Sequence, residues 1–347
     1  MRDVGLLGRA FVVSDPKIFA QYGVAAVEGM RRAEVEVESI QLPDGETTKS
    51  LASARILYDW LADNKAERID SVVALGGGVV GDVAGFTAAT FLRGMPLVQV
   101  PTTVLAQIDS SIGGKVGVNH PKGKNLIGAF HPARLIVADV ETLRTLSPRL
   151  LSDGWAEAIK CAMILDARLL DLLDDNADEL CDPESSGFKS DLLVQVIQRC
   201  AQHKVAVVRE DEREANLRMI LNYGHTIAQG LEAALHYDWL LHGEAVSIGM
   251  VGAAVISAVS GFLDRGAAAR QLDVLRHFHL PTCLPSTIPK PSVDEVLDRM
   301  AQDKKSRGSR INWVLLDRIG HARIESAVSP DLVRATLERL IDGSELA

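Results

Sequence analysis

The chain has 347 residues, of which 47% are hydrophobic and 24% charged, and its formal net charge is −9 at pH 7. These values predict a globular protein of about two domains, and the negative charge argues against nucleic acid as a partner. Four scattered cysteines without a C-x-x-C pair favour reduced thiols in the cytoplasm. The longest apolar stretch, Ala245 to Ser260, is shorter than the roughly 20 residues of a membrane span, so we expect a core helix and no membrane association.

The chain opens with a β-α-β pattern formed by a strand over residues 9–15, a helix over 16–31 and a strand over 35–42. A turn with two carboxylates, Asp44 and Glu46, follows the second strand, and Lys49 leads into a helical segment through Ala62. The two acids have two interpretations. They hold ribose hydroxyls of a nucleotide, or they cap the N-terminus of the following helix.

The stretch Ser71 to Gly85 reads SVVALGGGVVGDVAG, an apolar run that breaks into glycines and continues as a small-residue helix. This pattern predicts a buried strand turning sharply into a helix whose free N–H groups favour an anion. Gly76, Gly78 and Gly81 match the dinucleotide-binding spacing G-x-G-x-x-G, although the usual acid about 20 residues later is absent. A tight turn without any ligand is the alternative.

Two further strands are predicted over residues 96–100 and 135–138, and the alternation of strands and helices predicts a mostly parallel, Rossmann-like sheet. The segment Asp109 to His131 between them is rich in glycine and polar residues, so we expect a ligand-lining loop. Its donors to phosphate or carboxylate oxygens are Lys115, Lys122, Lys124, Asn119, Asn125 and His120. Each lysine taken alone is equally typical of a solvated surface.

From about Leu146 the pattern becomes mainly helical, beginning with the helix start Ser147-Pro148. We therefore predict an α/β domain of the dinucleotide-binding type over residues 1–147 and a mainly helical domain over 148–347. An apolar run at residues 311–316 predicts one strand in the second domain.

Three residues of the second domain have side chains suited to a divalent metal. Glu157 lies in a predicted helix, His225 follows Gly224, and His242 opens an apolar helix. Two imidazoles and one carboxylate leave a fourth position open, as in catalytic zinc sites. Because the chain has nine histidines, a chance trio is the alternative.

Helical spacing also relates Arg218, Asn222, His225 and Gln229, which predicts one polar stripe on a helix that is otherwise apolar. Such a stripe lies either at the surface or along a pocket. Lys204 and the pair Lys304–Lys305 supply further cations, either to the same pocket or to solvent.

The motifs GGGVVGDVAGF, PTT, DSSIGGKVGVNHPKGKNLIGAFH, WAEAIK, DERE, LNYGHT, HGEAV and DKK occur in this order over nearly the whole chain. In this respect the chain resembles the 3-dehydroquinate synthases, which are sugar phosphate cyclases. The resemblance implies an α/β dinucleotide-binding domain followed by a mainly helical domain, with the active site in the cleft between them. It also implies a cytoplasmic homodimer of the shikimate pathway that uses NAD and Zn²⁺ or Co²⁺.

The resemblance assigns roles to residues at matching positions. It assigns the metal to Glu157, His225 and His242. Positions implied for NAD are Asp44, Glu46, Lys49, Gly78, Val79, Val80, Gly81, Asp82, Thr102, Thr103, Lys115, Lys124, Thr142, Leu143, Arg144 and Thr145. Positions implied for the substrate are Arg93, Lys115, Lys124, Asn125, Lys160, Lys204, Arg218, Asn222 and one of Lys304 and Lys305. Catalytic positions implied are Lys115, Lys160, Asp109, Glu214, Asn222 and Gln229.

The implied reaction converts 3-deoxy-D-arabino-heptulosonate 7-phosphate to 3-dehydroquinate and phosphate by transient oxidation, phosphate elimination, re-reduction and aldol closure. This sequence departs from the family at Gln229, where a second histidine is expected, and glutamine cannot shuttle a proton near neutral pH. We expect phosphate and water to cover that role. The chain also begins close to its first β-α unit, without the N-terminal strand pair usual in the family, which bears on the dimer contact.

Three other functions remain alternatives at this point. The chain could be another cyclase, of the amino-dehydroquinate or 2-deoxy-scyllo-inosose synthase type. It could be a metal-dependent polyol or glycerol-phosphate dehydrogenase, which would accumulate NADH. It could also be a catalytically silent nucleotide-binding module.

Overall fold

A computed structural model describes residues 1–185, 188, 190–214, 216–305 and 311–343, without the side chains of Arg2 and residues 302–305. The chain divides into two compact units, Met1–Thr145 and Leu146–Ala347. The predicted domain boundary after residue 147 lies close to this division.

The first unit contains a five-stranded sheet and a separate hairpin. Its strands are β1 (Ala10–Ser14), β2 (Val37–Gln41), β3 (Ser71–Gly76), β4 (Leu97–Pro101), β5 (Lys115–His120), β6 (Gly123–Phe130) and β7 (Leu135–Ile136). The sheet has the order β2-β1-β3-β4-β7 and every pair in it is parallel. The predicted mostly parallel, Rossmann-like sheet is therefore confirmed.

Helices cover this sheet, and alternate residues of its strands enter two apolar cores. The helices are α1 (Pro16–Ile18), α2 (Val24–Arg32), α3 (Leu51–Asp63) and α4 (Gly78–Thr90). Phe11 and Val72 lie in one buried cluster, whereas their neighbours Val12 and Val73 lie in the other. Side chains of a strand alternate between its faces, so a strand that is apolar throughout is buried on both sides.

Residues 115–130 of the segment predicted as a ligand-lining loop form a β-hairpin. Strands β5 and β6 pair antiparallel, with Lys115 opposite Phe130 and Val118 opposite Ile127. The prediction of a loop was wrong for these residues. It gave more weight to the glycine and polar content of the segment than to the short alternation of apolar and polar residues that is typical of a strand. Val116 and Val118 point into the core that α4 also lines, and this burial fixes the hairpin.

The second unit is mainly helical, as predicted. Its helices are α5 (Pro148–Leu165), α6 (Ala167–Asp175), α7 (Ala177–Cys181), α8 (Ser190–Glu210), α9 (His225–Ala234), α10 (His242–Val259), α11 (Arg265–His277), α12 (Val293–Lys305) and α13 (Pro330–Asp342). The strand predicted at residues 311–316 is present as β8 (Trp313–Arg318), and it pairs with β9 (His321–Glu325), which the sequence analysis missed.

Helix α10 forms the centre of this unit and packs against α5, α9, α11, α13 and β8. It is long and apolar enough to cross a membrane, but 72% of it is buried inside the unit. The prediction of a core helix fits this burial. Because α10 begins at His242, the core helix places that histidine beside α5 and α9.

Candidate active site

The loops that follow β2, β3 and β4 lie at one edge of the first unit's sheet, because carboxyl ends of parallel strands share an edge. They carry Asp44 and Glu46, the glycine turn, and Thr102 with Thr103. Strand β2 lies on one side of β1, and β3 lies on the other side of β1. The direction in which strands are added to the sheet therefore reverses between β1 and β3. Ligands of open α/β sheets bind at such a reversal.

The glycine turn starts α4 and packs closely against its surroundings. A Cβ on Gly78 would lie 3.2 Å from Ser110 Oγ, and one on Gly81 would lie 2.9 Å from Gln99 Oε1. Packing alone therefore requires small residues at this turn. The first-turn N–H groups, which include those of Val79 and Val80, have no acceptor within the helix and favour an anion.

The acidic turn after β2 does not cap α3, because Ser50 performs that role by accepting from Ser53 N. Glu46 Oε1 instead accepts from Asn119 Nδ2 at 2.7 Å, and Asp44 Oδ1 accepts from Gly45 N at 2.7 Å. The capping interpretation of the two acids is thus wrong for α3.

A buried ion pair joins Lys49 to Asp82 in the first turns of α4. Asn119 N also donates to Lys49 O at 2.8 Å. The acidic turn, the glycine turn and the hairpin are therefore tied together within this unit.

The segment Thr142 to Thr145 is held by Gln107, whose Nε2 donates to Asp139 O at 2.9 Å and to Thr142 Oγ1 at 3.2 Å. Tyr22 OH lies 2.7 Å from Thr145 Oγ1. Leu143 is buried and Arg144 is exposed beside Glu141. Thr102 Oγ1 is buried and has no partner among the described residues, so it offers a polar atom at the sheet edge.

The other predicted residues of this unit lie outside its buried core. Arg93, Lys115 and Asn125 are exposed, whereas Asp109 and Lys124 are half-buried. Arg93 and Asn125 have backbone φ of 66° and 54°, an uncommon conformation for non-glycine residues.

The metal trio of the second unit converges. Glu157 comes from α5, whereas His225 and His242 are the first residues of α9 and α10. One ligand atom from each lies within 4.8 Å of the others. Both histidine Nε2 atoms lie 3.6 Å from Glu157 Oε1.

This geometry fits a metal ion. Zinc bonds of about 2.1 Å in a tetrahedron place donor atoms roughly 3.4 Å apart, close to the observed 3.6 Å. Glu157 is only 2% exposed; its Oε2 forms an ion pair with Lys160, whereas its Oε1 faces both imidazoles. Because Oε1 and the two imidazole nitrogens are all possible electron-pair donors, their convergence favours a cation. The chance-trio interpretation does not account for this convergence.

The charges around the trio suit the same interpretation. Burial raises the pKa of Glu157, but the charge of Lys160, with which it forms an ion pair, and the two imidazoles hold that pKa well below its ordinary value. Burial and then the charge of Lys160 lower the pKa of His225 to about 4. Burial also lowers the pKa of His242, yet the adjacent Glu157 and Glu232 outweigh it and raise the pKa to about 10. His225 is neutral and His242 carries a proton that a metal ion would replace.

Two hydrogen bonds and one close approach of the backbone fix the start of helix α10. Asp153 Oδ1 accepts from Gly243 N at 2.5 Å, and Glu244 Oε2 accepts from Leu241 N at 2.8 Å. A Cβ on Gly243 would lie 1.9 Å from Asp153 O, so only glycine allows α10 to approach α5 this closely. In the HGEAV motif, His242 is thus a member of the metal trio, Gly243 allows the close approach of α10 to α5, and Glu244 caps the start of α10.

Buried cations line neighbouring elements of the second unit. Lys160 on α5, Lys204 on α8 and Arg218 on a 3₁₀ helix over Leu217–Asn222 are all buried, and these three elements pack against one another. Asn222 Nδ2 donates to Glu214 Oε1 at 2.9 Å.

The predicted polar stripe is not continuous. The 3₁₀ helix ends at Asn222, and Gly224, with φ 81° in the left-handed region, separates it from α9, which starts at His225. Arg218 and Asn222 therefore lie on a different element from His225 and Gln229. The single-helix prediction was wrong because spacing alone does not reveal a left-handed residue.

Gln229 is exposed on α9, whereas His225 at the start of the same helix is only 13% exposed in its side chain. The side chains of Lys304 and Lys305 lie outside the described residues. Sequence analysis missed Glu232, which is buried on α9 with its Oε1 3.6 Å from His242 Nδ1. Its position seven residues after His225, two helical turns along one face, was the available signal.

Two family models match the chain in sequence. The 3-dehydroquinate synthase N-terminal model matches residues 39–153, and the C-terminal model matches residues 154–306. The 3-dehydroquinate synthase of Synechocystis sp. is 44% identical over 334 residues, covering 96% of this chain and 91% of the relative. That of Symbiobacterium thermophilum is 44% identical over 333 residues, covering 96% and 90%.

Solved structures share the fold. The 2-epi-5-epi-valiolone synthase ValA from Streptomyces hygroscopicus subsp. jinggangensis, with NAD⁺ and Zn²⁺ bound, has a TM-score of 0.89 at 30% identity, covering 97% of this chain and 92% of its own. A 2-deoxy-scyllo-inosose synthase complexed with carbaglucose-6-phosphate, NAD⁺ and Co²⁺ has a TM-score of 0.85 at 27% identity, covering 98% and 92%. By the match of both family models and of its curated relatives, the chain belongs to the 3-dehydroquinate synthase family.

Proposed function

We propose that this protein converts 3-deoxy-D-arabino-heptulosonate 7-phosphate to 3-dehydroquinate and orthophosphate, as a phosphate-eliminating lyase of aromatic amino acid biosynthesis. The observation that carries the proposal is the convergence of Glu157, His225 and His242. It occurs in a chain that is 44% identical to a 3-dehydroquinate synthase. A homodimer in the cytoplasm is part of the proposal, and the four free thiols support that compartment.

The trio would hold Zn²⁺ or Co²⁺, and the sheet edge of the first unit would hold NAD through the positions assigned above. When bound, the ion supplies a Lewis acid and NAD a reversible hydride acceptor. Asp44 and Glu46 suit ribose hydroxyls, and the start of α4 suits the pyrophosphate.

The buried cations would bind the anionic groups of the substrate. Lys160, Lys204 and Arg218 lie in a low-dielectric interior, where their attraction to phosphate and carboxylate is stronger than in water. Asn222 and Glu214 form a hydrogen-bonded pair beside them and would orient substrate hydroxyls. By the family resemblance, Arg93, Asp109, Lys115, Lys124, Asn125 and one of Lys304 and Lys305 are further proposed substrate contacts. These residues mainly position the substrate, whose own phosphate serves as base.

The test is to incubate the full chain, loaded with Co²⁺ and NAD, with the heptulosonate phosphate. We expect orthophosphate and 3-dehydroquinate in equal amounts and no net NADH, because the hydride returns to the substrate. Accumulating NADH would instead identify a dehydrogenase, and absence of orthophosphate would refute the proposal.

A related sugar phosphate cyclase is the second candidate, because Gln229 departs from the family pattern and solved cyclases of other specificity share the fold. Glucose 6-phosphate and sedoheptulose 7-phosphate serve as competing substrates in the same assay. Faster phosphate or cyclic-product formation from either of them would favour that candidate.

A further inference from the structure

The imidazole of His242 lies between two carboxylates. Its Nε2 is 3.6 Å from Glu157 Oε1, and its Nδ1 is 3.6 Å from Glu232 Oε1. The two ring nitrogens therefore face different acidic side chains on different helices, α5 and α9. Only the Nε2 side belongs to the ligand trio.

Glu232 is in an unusual place for a carboxylate. It is 5% exposed, and its helix neighbours Ile227, Ala228 and Leu231 are buried apolar residues. A buried carboxylate costs several kcal/mol unless charge or hydrogen bonds compensate it. Packing alone would favour an apolar residue at this position.

The two histidines are arranged alike. His225 Nδ1 lies 3.2 Å from the carbonyl oxygen of Tyr223, so it too has an acceptor on the side away from Glu157. An acceptor at Nδ1 holds the proton there and leaves the Nε2 lone pair for a metal, which also orients the ring. His225 has a backbone acceptor at hydrogen-bond distance, whereas the carboxylate that faces His242 Nδ1 lies at ion-pair distance.

We infer that Glu232 is a positioning residue that holds the His242 ring in the tautomer and orientation required for metal binding. The inference rests on the metal site of the proposed function. Helix α9 then contributes twice, with a ligand at its first residue and a ring acceptor two turns later.

The test measures Co²⁺ binding to the full chain and to the variants Glu232→Gln and Glu232→Ala. We expect affinity to fall about 10-fold for E232Q, which keeps an acceptor oxygen, and about 100-fold for E232A. The visible absorption of bound Co²⁺ should shift in E232A, because the ring is free to turn. The circular dichroism spectra of the metal-free variants should match that of the metal-free unaltered chain. E232Q is isosteric with the unaltered residue and keeps the packing.

Asp298→Asn is the matched control. It removes the same charge from an exposed position on α12, a helix that packs against α9, and should leave Co²⁺ affinity within about twofold. The inference is overturned if both Glu232 variants bind Co²⁺ within twofold of the unaltered chain, or if D298N loses as much affinity. Failure of the unaltered, Co²⁺-bound chain to release orthophosphate would refute the proposed function but not this inference.

Discussion

The sheet edge of the first unit and the ligand trio of the second present opposite kinds of site. At the sheet edge, the proposed anion-binding groups are N–H groups at the start of α4, and the loop after β2 at the same edge carries the exposed carboxylates Asp44 and Glu46. In the trio, the charged Glu157 is buried and the two histidines are partly exposed, on helices that pack against one another. Main-chain groups persist through most substitutions, whereas a buried charged side chain cannot be replaced without loss. The second unit should therefore be far more sensitive to single changes.

The sharpest test of this difference is Glu157→Gln. We expect loss of more than about 10²-fold in Co²⁺ affinity and at least about 10³-fold in turnover, because Glu157 faces both histidines and pairs with Lys160. Equilibrium dialysis and a phosphate-release assay measure the two effects. Asp298→Asn is again the charge-matched control, and an E157Q enzyme with near-normal Co²⁺ affinity would remove the trio from consideration.

The pH dependence of metal binding tests the electrostatics of the trio. The pKa of His242 is raised from 6.5 to about 10, so in the metal-free protein its charge stabilises the fold fully below pH 6.5 and that contribution is lost as pH rises through 10. A metal ion must displace this proton. Affinity should therefore rise about tenfold per pH unit between pH 7 and 9.

Calorimetry in two buffers of different ionisation enthalpy measures the number of protons released when the metal ion binds. We expect about one proton released per ion at pH 7.5. A pH-independent affinity with no proton release would contradict the raised pKa of His242.

At the sheet edge, Gly78→Ala should weaken NAD binding by about fivefold. The added Cβ would lie 3.2 Å from Ser110 Oγ, so either the Ser110 side chain or the start of α4 must give by a few tenths of an ångström, which disturbs the proposed NAD site. The control is Gly29→Ala on α2, where the nearest contact is an ordinary 3.8 Å. Fluorescence titration measures the NAD affinity. If G78A and the unaltered chain bind NAD equally well, the start of α4 is not an anion-binding site.

The smallest effect is expected for Gln229→His. Gln229 is exposed on α9, so an imidazole there should change turnover by less than about threefold, far below the 10²–10⁴-fold of a general acid–base group. A rise by orders of magnitude would mean that residue 229 takes part in proton transfer.

Local features of the fold were predictable from the sequence. The strands of the parallel sheet, the helix start at Ser147-Pro148 and the core helix after His242 all depend on short-range patterns. The ligand trio was predicted from side-chain chemistry and a family resemblance, since its members are far apart in sequence.

Other features depend on contacts that spacing does not encode. The hairpin β5–β6 is fixed by burial of Val116 and Val118 in a core shared with α4. The break at Gly224 depends on a left-handed backbone conformation. Glu232 was missed because its spacing of seven residues from His225 acquires a meaning only once its partner His242 is known.

His225 and His242 are both the first residues of their helices. Helix ends fray most readily, so in the metal-free protein the two ligands sit on the segments that open most often. An ion bound to both would join those ends to each other and to α5. Amide hydrogen exchange in the first turns of α9 and α10 should therefore slow when Zn²⁺ is added, with little change in the middle of α10.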